Sequence, residues 1–150
     1  EIVTYEEARN LTLESLQKIT EENSCSGCML YDADLRGWDL QGANLKGAKL
    51  KYASLNNANL KEANLKGVNL QGVQLKYASL NNANLKEVNL ERADLKGANL
   101  QGANLNNANL KEANLKGANL QGANLYGANL TDVKLCDTVM PNGVKDYSDC

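Results

Sequence analysis

ANLQGANLNNANLKEANLKGANLQGANL, residues 98–125, is one phrase written six times: Ala, Asn, Leu and then two residues that are polar or Gly. Working outward from it, Leu recurs at every fifth position from Leu30 to Leu135, twenty-two times without a gap, and Met140 takes the next place. Two residues before each Leu stands a small side chain. From Cys28 to Val133 that slot holds sixteen Ala and four Val, and only Cys28 and Trp38 depart from the rule. The residue just before each Leu is most often Asn.

A period of five fits neither the 3.6 residues of a helix nor the 2 of a strand, so no regular element could keep one apolar face inward over this length. The chain must therefore turn once per repeat. If Leu and the small residue both point to a central axis, the other three positions face water. Ten of the twelve Gly, among them Gly42, Gly67 and Gly102, lie two residues after a Leu, and Asn57, Asn82 and Asn107 share that slot. Both residue types accept positive φ, which places the corner there. Tyr52, Glu62, Tyr77, Glu87, Arg92 and Glu112 occupy the same slot and do not favour that backbone, which predicts more than one kind of corner. A second copy of KYASLNNANLKE, begun at Lys51 and again at Lys76, adds a 25-residue duplication.

The pattern A-[DN]-L-x-x, as in Ala43-Asn44-Leu45 and Ala103-Asn104-Leu105, resembles that of the pentapeptide-repeat proteins over residues 28–140. The resemblance implies an all-β solenoid, a right-handed quadrilateral β-helix with four repeats per coil and an inward Leu and small residue. Twenty-two repeats then make about five and a half coils, a rod roughly 26 Å tall at the ~4.8 Å spacing of paired strands. In that frame Asn44, Asn64, Asn84, Asn104 and Asn124 form one ladder, each side chain bonding to the neighbouring coil or to the Asn above.

The ends of a solenoid need covers. Residues 1–27 are expected to form an N-terminal α-helical cap: Thr4-Tyr5-Glu6-Glu7 reads as a capping box, and Tyr5, Ala8 and Leu11, then Leu13, Leu16 and Ile19, follow at helical spacing. The register slips near Asn10–Thr12, which predicts two short helices. Trp38, too large for a narrow interior, is expected to pack beneath this cap. The repeat region spans 28–140. At Pro141-Asn142-Gly143 the missing amide of Pro and the hairpin preference of Asn-Gly end it, leaving 141–150 as a tail.

The four Cys sit in two groups at opposite ends of the expected rod, too far apart for cross-pairing or for a four-Cys zinc site. Cys136 with Cys150 remains, and would tie back the tail and shield Leu135 and Met140 against end-to-end stacking. For Cys25 and Cys28 both a bridge and free thiols stay open. The segments around these cysteines, Cys25-Ser26-Gly27-Cys28 and CDTVMPNGVKDYSDC, resemble those of cyanobacterial and chloroplast-lumenal members of the family. A stabilising disulfide needs an oxidising compartment. With a chain beginning at Glu1 rather than Met, this points to export into the thylakoid lumen or periplasm, the cytoplasm being the alternative.

Composition narrows the function. With no His, no Phe, one Trp and one Pro, imidazole chemistry is excluded and scattered outward carboxylates have no pocket to tune them, so the chain is read as a non-enzyme without cofactor or metal. Apolar runs are too short to span a bilayer. Family members that mimic DNA to act on gyrase need an acidic rod, whereas residues 30–140 hold thirteen Lys and Arg against ten Asp and Glu. Lys76, Lys96 and Lys116 stack in one column and Lys46, Lys66 and Lys86 in another, but no tyrosine platform accompanies them, which disfavours nucleic acid as a ligand. What is left is a structural or protein-interaction scaffold whose partner the sequence does not name, a monomer or an end-to-end dimer. A cytosolic regulator acting through the lysine faces is the second reading.

Overall fold

The computed structural model describes residues 4–150. Its N-terminal element is a single helix, α1 (Tyr5–Glu22). Thr4 and Glu7 form the expected reciprocal capping box, Oγ1 of Thr4 accepting from the Glu7 amide at 3.1 Å and the Glu7 carboxylate from the Thr4 amide at 2.8 Å. The break expected near Asn10–Thr12 does not occur. Thr12 stays in register by donating its hydroxyl to the Ala8 carbonyl. The helix needs no single apolar stripe because it is held only by its second half: Ser15 and Ile19 are buried and Leu16 half-buried, while Tyr5, Leu11 and Leu13 stand exposed. A left-handed Asn23 ends it.

From Ser24 onward the chain stacks on itself. Parallel bridges join Ser24 to Asn44, Asn44 to Asn64 and so on to Asn119 with Val139, each linking residues 20 apart. Twenty residues are four repeats, one coil. Leu30 to Leu120 are almost wholly buried at every fifth position, together with the small residue two before. The first rung lies one repeat before Leu30: Cys25 occupies a Leu slot, donating its amide to Asn44 O at 2.8 Å.

One repeat shows why the pattern works. The Asn64 amide donates to Ala43 O, Leu65 to Asn84 O and Gly67 to Lys86 O, which ties the coil to both neighbours; Val68 donates to Leu65 O across the corner. One donor is left, the Lys66 amide, and Asn64 Oδ1 accepts it at 3.2 Å. All five amides of the repeat are thereby paired, as a buried backbone requires. The expected Asn ladder therefore needs correcting. The backbones of Asn44, Asn64, Asn84, Asn104 and Asn124 do stack. Their side chains, however, each accept from the amide two residues on within their own coil. The short Asn side chain reaches its own turn more readily than the next coil, the Asx-turn preference. Coil-to-coil side-chain bonds occur on other faces, as from Asn59 to Asp39 and Asn114 to Asp94.

The corners also differ from expectation: there is one kind. From Cys25 to Val133 each closes with an i to i+3 bond such as Ala43 N to Leu40 O, which the last corner at Cys136-Asp137 lacks, and the third residue has positive φ whether Gly or not, for example Tyr52 at +63°, Glu87 at +60° and Arg92 at +58°. The ladder on both sides imposes the turn and overrides local preference, a type II geometry held against side-chain strain. Glycine is required where a corner sits against a ring: a Cβ at Gly97 would stand 2.5 Å from the Tyr77 ring of the coil before, and one at Gly72 2.7 Å from that of Tyr52.

At the far end a short hairpin, β1 (Thr138–Val139) with β2 (Lys145–Asp146), pairs antiparallel. Thr138 fills a small-residue slot, fully buried, with its hydroxyl donating to Leu115 O at 2.7 Å.

Candidate partner-docking site

The described faces of the rod carry mostly polar side chains, with Tyr52, Tyr77 and Tyr126 exposed among them, and the ion pairs on them lie at the surface. Arg36 contacts Asp34 at 2.8 Å, and its hydrogen bond pulls the Asp34 carboxyl down to about 2. Arg92 meets Glu112 at 2.6 Å, lowering that carboxyl below its ordinary range by the same cause. Lys76 lies 3.5 Å from Asp94, so one member of its lysine column is already paired. Lys96 and Lys116 line a shallow cleft beside Tyr77 and Cys136. No group of His, Cys, Asp and Glu among the described residues could hold a metal ion, and no described helix is long and apolar enough to cross a membrane.

Apolar surface collects at the N-terminal end. Because only the second half of α1 is fastened, its first half stands over the first coil and leaves a cleft of about 520 Å³ lined by Tyr5, Ala8, Leu11, Leu13, Met29 and Tyr31, with Arg9 and Asp32 at the rim. Tyr5 is 86% exposed, Leu13 52% and Tyr31 51%. Ser15 is the clasp: its hydroxyl accepts from the Met29 amide at 3.1 Å, and the Cys25 sulfur lies 3.3 Å from its carbonyl oxygen. Sequence reasoning missed both the cleft and Ser15. The only signal was the slip in helical register, which marks where α1 parts from the rod.

Trp38 is half-buried against the core and shares a second cleft with Ile19, Thr20 and Asn23 of the cap. Cys25 and Cys28 are bridged, with Cα atoms 5.2 Å apart. Ser26 and Gly27 between them form an ordinary corner, Cys28 N donating to Cys25 O, so the bond joins a Leu slot to a small slot. Cys136 and Cys150 are bridged at a Cα separation of 4.8 Å. The tail does not shield the rod end as expected. Leu135 and Met140 remain half-buried, as do Leu125 and Leu130, because residues 144–150 double back over one half of the last coil instead of continuing around it.

Stacked coils of four five-residue repeats around a ladder of Leu define a class, the β-helices built from pentapeptides. The family model for pentapeptide repeats matches in overlapping segments from 28–67 to 103–140, and the chain belongs to that family. It is similar to HetL, a pentapeptide repeat protein involved in heterocyst differentiation regulation in the cyanobacterium Nostoc, at 37% identity over 82% of this chain and 62% of HetL, with a TM-score of 0.37. The chain thus spans less than two thirds of HetL. A pentapeptide repeat protein of the Arabidopsis thaliana thylakoid lumen is 36% identical over 69% of this chain and 68% of its own, with a TM-score of 0.36. QnrB1, a plasmid-mediated fluoroquinolone resistance protein, shares the fold at a TM-score of 0.52 and 19% identity, over 77% of this chain and 64% of its own. None of the curated proteins matches.

Proposed function

We propose that the chain is a non-enzymatic scaffold of an oxidising compartment, thylakoid lumen or periplasm, which docks a protein partner through the cleft between α1 and the first coil. The rod is read as a right-handed quadrilateral β-helix, the hand that the twist of parallel strands favours. In this reading residues 1–27 are the docking cap, 28–140 a rigid spacer and 141–150 a tail held by its bridge. The observation that carries the proposal is the concentration of exposed Tyr and Leu over Met29, whereas along the coils the exposed aromatics Tyr52, Tyr77 and Tyr126 stand singly among polar side chains. Aromatic anchors beside a depression, with a charged rim, are what protein partners recognise. Both bridges support the compartment, since such bonds persist where thiols are not kept reduced.

The test has two parts. Mass spectrometry of native material should find all four Cys oxidised; four free thiols would place the protein in the cytoplasm. Cross-linking in the native compartment, quantified against Leu13→Glu and Tyr31→Glu, should lose the partner in both variants. A partner retained by both but lost on changing Lys96 and Lys116 to Glu would favour the lysine faces instead.

A further inference from the structure

At its C-terminal end the rod stops halfway around a coil. One coil earlier, the amides of Leu105, Asn107, Leu110 and Glu112 donate to Asn124, Tyr126, Asn129 and Thr131. The equivalent amides of the last coil, on Leu125, Gly127, Leu130 and Asp132, have no partner among the described residues. Leu125 and Leu130 are correspondingly half-buried, where Leu105 and Leu110 are fully covered. In the other half of the same coil Leu135 and Met140 are half-buried too, but there the tail lies along the backbone edge. There β2 lies against β1, the Asp149 amide donates to Leu135 O at 2.7 Å and its carboxylate accepts from the Leu135 amide. The end is a step, with a covered half standing one strand spacing, about 4.8 Å, above an open half.

The geometry points to a second copy of this chain as what covers the open half, in a two-fold arrangement where the tail of each rod lies over the bare edge of the other. Two features select this occupant. The bare edge turns a corner at Gly127, where φ is +73°, so a straight strand could pair with one side only, whereas a surface built on the same coil follows both. A two-fold axis across the rod end through the corner at Thr131-Asp132 exchanges the sides bearing Leu125 and Leu130 with those bearing Met140 and Leu135. That operation sets step into step. It also brings Val144 and Tyr147 of each tail, 62% and 57% exposed, over the half-buried Leu pair of the other copy, and gives the unpaired amides strand-edge acceptors. The contact is distinct from the cleft proposed for the partner and lies at the opposite end.

A rod tip is a small interface, at the low end of specific contacts, so association is expected in the micromolar range. Sedimentation of the full oxidised chain from about 1 μM to about 1 mM, which brackets that range, should show the mass rise from monomer toward dimer. Leu130→Glu should hold it at monomer throughout, and so should Tyr147→Asp, which lies outside the core and leaves circular dichroism and melting unchanged. A wild type that stays monomeric at about 1 mM overturns the assignment. So does a dimer that survives both variants, or one that is lost on Leu13→Glu at the other end.

Discussion

The two ends of the rod solve one problem in different ways. At the start, a helix clasped by Ser15 lies on the first coil, the ladder runs back to Ser24, and Leu30, Leu35 and Leu40 are buried as fully as any residue in the middle. At the finish, a doubled-back tail pairs with half of the last coil, and Leu125, Leu130, Leu135 and Met140 all stay half-buried. A cap from a separate element can lie across a whole coil. A tail that must leave from the last coil itself is confined to the side where it leaves, and the bridge to Cys136 keeps it there.

The comparison breaks first on core truncation. Leu80→Ala, in the middle, should cost about 2–5 kcal/mol, because neither neighbouring coil can collapse into the void without breaking register. Leu130→Ala should cost less than half of that, since its side chain is already partly wetted. Equal losses in denaturant melts would show that the two environments do not differ. Next comes the tail. Cys150→Ser should remove up to about 3 kcal/mol of constraint on a fifteen-residue loop. Cleavage after Met140 should then quicken while the coils before Leu120 keep their amide protection; an unchanged digestion pattern would make the bridge dispensable.

Smaller effects sharpen the picture within a repeat. Asn84→Ala leaves the Lys86 amide without its acceptor and should destabilise by about 1 kcal/mol. Asn124→Ala, nearer the open end where water can replace the lost bond, should cost a few tenths of that. The smallest change is electrostatic. Arg36→Gln should return the Asp34 carboxyl from about 2 toward its ordinary value of 3.8, visible in an NMR titration. The lowered value means that the pair favours the folded state above the ordinary carboxylate range and that this preference is lost as pH falls toward 2. Both groups are solvent-exposed, so the melting temperature at neutral pH should not move.

Much of the fold was legible because the repeat states one local rule many times. The position of Leu, the small slot and the corner follow from a period that no helix or flat strand can satisfy, whereas the 20-residue coil was implied by the resemblance to the pentapeptide-repeat family. The capping box at Thr4 was equally open to view, since it depends on residues three apart. The conformation of the corners was not. Tyr52 and Glu87 carry no preference for positive φ, and amide bonds to the coils above and below hold their corners in it. The candidate docking cleft was hidden for a related reason: whether Leu13 and Tyr31 are core or surface depends on where α1 leaves the rod, and Ser15, an unremarkable residue in sequence, decides that.

By itself, then, the sequence determined what each repeat buries and where it turns, because those choices are made by side-chain size and backbone preference within five residues. Tertiary structure alone decided which donor each Asn serves, that α1 is one helix held by its second half, and that the tail covers one side of the last coil. These are contests between local and distant partners of similar strength, and the winner is set by the distances that stacking brings about.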